Sequence, residues 1–124
     1  MQRTKYILTV VLGIILIVAG VNHFINPVSY YPFIPTFMPA ALSNYIGGAA
    51  ELILGIALFL PSFKHRAAIG VFWLMIIFLP LHVIDALRPH PAIGSKTLAY
   101  IRLPLQFVLI AWAWWISKKD TLNS

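Results

Sequence analysis

Four apolar stretches, each about twenty residues long, take up most of this chain. They run over about Tyr6–Phe24, Ala41–Leu60, Arg66–Leu87 and Leu98–Ser117. A helix of about twenty apolar residues crosses the hydrocarbon core of a bilayer. Lipid offers the backbone no hydrogen-bond partner, so each stretch must satisfy itself and is predicted to be a helix. The period-two alternation of a membrane barrel is absent. The connections, of about 16, 5 and 10 residues, leave no room for a second domain. The expected fold is all-α, a single four-helix transmembrane bundle over residues 1–124. Composition agrees: 60% of the residues are hydrophobic and 10% charged, too few charges to clothe a soluble domain of this size. Arg3 and Lys5 ahead of the first stretch resemble the start of a signal peptide. Its apolar run is too long for that, and Gly20-Val21-Asn22 is a poor cleavage site, so it is read as a helix.

Lysine and arginine set the expected orientation. Arg3 and Lys5, then Lys64 and Arg66, then Lys118 and Lys119 fall on one side. The other side has only Arg88 and Lys96. The positive-inside rule puts both termini in the cytoplasm. The net charge of +6 then suits anionic lipid head groups rather than nucleic acid. Trp112, Trp114 and Trp115 close the last span as an interfacial belt. The first loop, with Pro27, Pro32, Pro35 and Pro39 among the rings of Tyr30, Tyr31, Phe33 and Phe37, falls outside. It reads either as a stiff aromatic lid over the mouth of the bundle or as an ordinary interfacial connector.

Polar residues within the spans gather toward that same mouth. In this topology Asn22 and His23 end the first helix, and His82 and Asp85 lie in the outer part of the third. Arg102 and Gln106 fall in the outer part of the fourth, with Glu51 near the middle of the second. Gly47, Glu51 and Gly55 recur at i, i+4 and i+8, a glycine stripe that a neighbouring helix can approach. His82 and Asp85 share one helix face, and Arg102 and Gln106 another. A charge facing lipid at mid-depth costs roughly 3 kcal/mol, so these groups are expected to face one another. Asp85 and Arg102, at similar depth, are the expected ion pair, and Glu51 has no basic partner at its own depth. The expected ligand-binding set is His23, Glu51, His82, Asp85, Arg102 and Gln106. The alternative is that these groups only fasten helices together. Pro80 frees a carbonyl below His82 and is expected to bend the third helix toward the cluster. A stripe of Gly13 and Gly20 on the first helix leaves room for a homodimer.

Several chemistries are excluded or demoted. The chain has no cysteine, which rules out thiolate catalysis, disulfides and thiolate metal sites. No nucleotide or zinc-protease motif occurs. His23 with His82 as haem ligands, or histidine with Glu51 and Asp85 as a metal site, is allowed by depth but not required by spacing. No cofactor and no metal are expected. His65 and His90 fall in connections and carry no assignment.

Three pieces in order carry a likeness. They are Gly20-Val21-Asn22-His23-Phe24 with Pro27, then Gly48, Glu51-Leu52 and Gly55, then Arg102-Leu103-Pro104-Leu105-Gln106. Together they resemble the DoxX-like family of small four-helix membrane proteins over almost the whole chain. Many members of that family end the third helix with asparagines after a proline, whereas His82 and Asp85 follow Pro80 here. The resemblance implies a multi-pass protein of the bacterial cytoplasmic (inner) membrane. It also implies an association with quinone-linked oxidoreduction, or with chaperoning of membrane receptors in animal relatives, without an activity common to the family.

Three function classes follow. The first is an accessory or ligand-binding subunit that holds a small amphipathic molecule (a quinone, lipid or isoprenoid) in the outer half, beside a partner membrane protein or a second copy. The second is a membrane subunit of a quinone-linked oxidoreductase, with Glu51 or His82 transferring protons. The third is a structural or chaperone-like bundle. Whether the chain catalyses anything is open at this level.

Overall fold

The computed structural model describes residues 2–118. It is all-helical: α1 Gln2–Ile25, α2 Ala40–Ala57, α3 Lys64–Leu87 and α4 Lys96–Ser117. All four are long and apolar enough to cross a membrane. Two short 3₁₀ turns, Pro27–Ser29 and Tyr31–Phe33, shape the first connection.

The helices differ from their hydropathic cores at the ends, for local reasons. Charged residues open three of them, because backbone hydrogen bonding continues where hydropathy falls. In α1 the helix starts before Tyr6, and Thr9 Oγ1 donates back to the Lys5 carbonyl at 2.7 Å. His65, assigned to a connection above, lies in the first turn of α3. In α4 Ser95 caps the start, its hydroxyl accepting from the Leu98 amide at 3.1 Å. The second helix stops short of Leu60. Its last turn tightens to i→i+3 bonds, from Phe59 N to Ile56 O and from Leu60 N to Ala57 O. Pro61 follows and disfavours helical geometry in the residue before it. Both α3 and α4 run on through their internal prolines, Pro80 and Pro104.

The bundle consists of two antiparallel hairpins, α1 with α2 and α3 with α4. The two are joined chiefly where α2 meets α3. Glycines set the first hairpin. A Cβ on Gly20 would lie 2.8 Å from Leu52 N and 2.9 Å from Gly48 O, and one on Gly48 would lie 2.5 Å from His23 Cβ. Backbones come this close because apolar side chains gain little by leaving lipid, so contact itself must hold the helices. Two sequence expectations change here. Gly13 and Gly20 face α2 rather than a second copy. The interior face of α2 is Asn44–Gly48–Glu51–Gly55, while Gly47 turns toward Phe78 of α3.

The two halves of the bundle differ. The apolar core lies toward the chain termini, built from Leu12, Leu16, Leu58, Val71, Ala113 and Ile116 with their neighbours. There Trp112 Nε1 donates to the Leu8 carbonyl at 3.2 Å and ties α4 to α1, and Lys5 Nζ donates to the Lys118 carbonyl. The buried polar side chains among the described residues are Asn44, Glu51, Asp85 and Gln106. They occupy the other half, beneath the first and third connections, with Gln106 at mid-height level with Met75. Large apolar residues such as Ile7, Ile53, Trp73 and Ile77 stay exposed, as lipid-facing positions do.

Candidate functional site

His23, in the last turns of α1, reaches across the glycine contact to α2. Its Nδ1 lies 2.6 Å from Asn44 Oδ1, and its Nε2 lies 3.0 Å from Glu51 Oε1. Asn44 Nδ2 donates to the His23 carbonyl at 2.9 Å. That bond fixes the Asn44 amide, so its oxygen faces Nδ1 and the imidazole carries its hydrogen there. The Nε2 to Oε1 contact then holds a single proton, as imidazole with carboxylic acid or imidazolium with carboxylate. Glu51 is 6% exposed, so this proton is held away from water. Glu51 thus has a basic partner after all, one the depth comparison overlooked.

The first connection lies over this pair. The Tyr30 ring stacks on His23 at 3.8 Å between centroids, and its hydroxyl accepts from Asn22 Nδ2 at 2.5 Å. Phe33 meets His82 edge-on at 6.2 Å, and Arg88 Nη1 donates to the Pro32 carbonyl. One loop is therefore pinned to α1 at Tyr30 and to the α3 end at Phe33 and Pro32.

The expected Asp85–Arg102 ion pair does not form. Asp85 sits in the last turn of α3, where the third connection folds back over it. Its carboxylate accepts from Ala92 N at 2.6 Å and Ile93 N at 3.4 Å, and Arg88 Nη1 lies 3.4 Å away. Asp85 is a loop anchor with its oxygens engaged. Asp85→Ala should therefore destabilise the protein by about 1 kcal/mol and speed amide exchange in residues 88–95, leaving α1 and α2 unchanged in the same hydrogen-exchange experiment.

Arg102 is left in a different position. Its Nη1 is buried and makes no hydrogen bond. One turn on, Gln106 is wholly buried. Its Nε2 donates to the Met75 carbonyl at 2.6 Å, and its Oε1 has no partner. Buried polar atoms are normally satisfied, and an exception calls for an explanation. Here an unmatched donor and an unmatched acceptor share one face of α4.

Of the six expected residues, His23 and Glu51 bond directly, Arg102 and Gln106 share a face, His82 lies under the loop, and Asp85 is engaged elsewhere. Sequence reasoning did not bring Asn44 or Arg88 to the site, and it named Tyr30 only as a ring of the loop. Asn44 was within reach, since it stands on the Gly48–Glu51–Gly55 face one turn earlier. Among the described residues no three His, Asp or Glu side chains converge as metal ligands. An almost wholly apolar groove runs along α1 at Ile14, Val18, Val21 and Ile25.

Four apolar helices around a buried polar network define a small multi-pass membrane protein of helix-bundle type. The chain belongs to a family described as a domain of unknown function (DUF8561), which matches residues 12–117 and so takes in every residue of the site. No curated protein and no solved structure matches it.

Proposed function

We propose that this chain is a DoxX-like accessory or ligand-binding membrane subunit that holds a small amphipathic molecule in the polar half of the bundle. The observation that carries this reading is the unmatched pair on α4, Arg102 Nη1 and Gln106 Oε1. If these groups served only to fasten helices, they would be expected to bond to one another or to a neighbouring helix. Interhelical hydrogen bonds in membranes contribute only about 0.6 kcal/mol each, a weak reason to keep an arginine at this depth. Positive-inside counting supports cytoplasmic termini, with Lys119 lying outside the described residues. The loop pinned over His23 and His82 is then an outer lid, and the motif resemblance supports a bacterial inner membrane.

Native mass spectrometry in mild detergent tests this on wild type beside Arg102→Met. An extra mass of one ligand per chain, lost in the variant at the same oligomeric state, is the expected result. Removing an unpaired buried donor should not unfold the bundle, so loss of mass reports binding. A bare chain in both would leave the charges as fasteners and favour the structural reading. The proton held between His23 and Glu51 favours a second reading, proton transfer to a quinone-like substrate, which a redox-active bound mass would support.

A further inference from the structure

We propose that the group held on α4 is a hydroxyl on an otherwise apolar molecule. This deepens the ligand-binding reading and rests on it. Gln106 Oε1 can only accept, because Nε2 is committed to the Met75 carbonyl. Arg102 Nη1 can only donate. Residues 102 and 106 stand one helical turn apart on one face, neighbours at the spacing where side chains meet. A single hydroxyl oxygen satisfies both: it accepts from the guanidinium and gives its own hydrogen to the amide oxygen.

Carbonyl, anionic and ammonium head groups satisfy only half of this arrangement. A ketone or quinone carbonyl accepts from Arg102 but has nothing to give Gln106. A carboxylate or phosphate pairs with Arg102 yet sets negative oxygen against Gln106 Oε1. An ammonium suits Gln106 and is repelled by Arg102. The surrounding chemistry fits the remainder of such a molecule. The outer surfaces of the helices are apolar, with Ile101 and Leu105 of α4 among the exposed residues. Two sources offer this chemistry, an isoprenoid alcohol and a long-chain phenol such as a reduced quinone.

The test compares each alcohol with its own methyl ether, which keeps the acceptor oxygen and removes only the donated hydrogen. The probes are farnesol with its methyl ether, and para-nonylphenol with para-nonylanisole. Wild-type protein in mild detergent is titrated with each, and affinity is read from the rise in thermal unfolding midpoint. At least one alcohol should bind about tenfold or more tightly than its ether, since the ether leaves Gln106 Oε1 buried and unpaired. Whichever pair shows the difference identifies the source. In Gln106→Leu the alcohol and ether should bind alike. Arg102→Met, which leaves the Gln106 to Met75 bond intact, should weaken both and serves if Gln106→Leu fails to fold. Equal binding of alcohol and ether to wild type overturns the hydroxyl while leaving the ligand reading in place. No stabilisation by any probe, with a bare chain in the mass spectrum, overturns both and leaves a water between the two side chains.

Discussion

Gly20→Ala should lower the stability of the bundle by about 2–3 kcal/mol, a large effect for one methyl group. The added carbon would sit 2.8 Å from Leu52 N and 2.9 Å from Gly48 O. These are backbone atoms of α2, which cannot swing aside as a side chain would, so α1 and α2 must separate. Separation loses the packing that holds helices together in lipid, and it carries His23 away from Asn44 and Glu51. Gly47→Ala is the control on the same hairpin. Its carbon would meet only the Phe78 ring, at 3.5 Å, an ordinary contact. Alanine is better than glycine in a helix interior by about 1 kcal/mol, so that variant should be neutral or slightly stabilised. Reversible unfolding in mixed micelles with rising dodecyl sulfate measures both. Equal stabilities for Gly20→Ala and Gly47→Ala would mean that the helices do not touch at Gly20.

The number and type of elements were legible because lipid leaves so few choices. A run such as Val10–Ala19 has no other way to satisfy its backbone, and Pro27 and Pro61 mark where helices must stop. The segregation of polar groups into one half was also readable, since Glu51, His82 and Arg102 avoid the half where Leu12, Val71 and Ala113 pack. Partner choice was not. Depth alone matched Asp85 with Arg102, but Asp85 is in a final helical turn, where loop amides at Ala92 and Ile93 reach it first. No spacing rule shows a loop folding back. The His23–Glu51 contact joins residues on different helices, whose relative height is set by glycine contacts at Gly20 and Gly48. The stripe on α2 was misread by one residue, since Gly47 and Gly48 both continue a plausible face until α1 is in place. The unmatched atoms of Arg102 and Gln106 are a property of the packed bundle and have no sequence signature.

Glu51→Ala should destabilise the protein by about 2–3 kcal/mol, whereas Glu51→Gln should cost under about 1 kcal/mol. The first leaves His23 Nε2 buried without a partner and opens a void beside closely packed backbones. Breaking a buried pair of this kind costs about 3–5 kcal/mol in soluble proteins, and membrane cycles rarely exceed about 1.7 for a single interhelical bond. The void brings the total between those limits. Glutamine has a different outcome because of the tautomer that Asn44 imposes. With hydrogen on Nδ1, the imidazole offers Nε2 as an acceptor, and a glutamine amide can donate to it across the same 3.0 Å. The contact survives without any charge. A cycle of Glu51→Ala, His23→Ala and the double variant should give a coupling of about 1–2 kcal/mol. If glutamine instead proved as damaging as alanine, with Asn44 present, the contact would need its charges. The single proton would then reside on His23, opposite a Glu51 carboxylate.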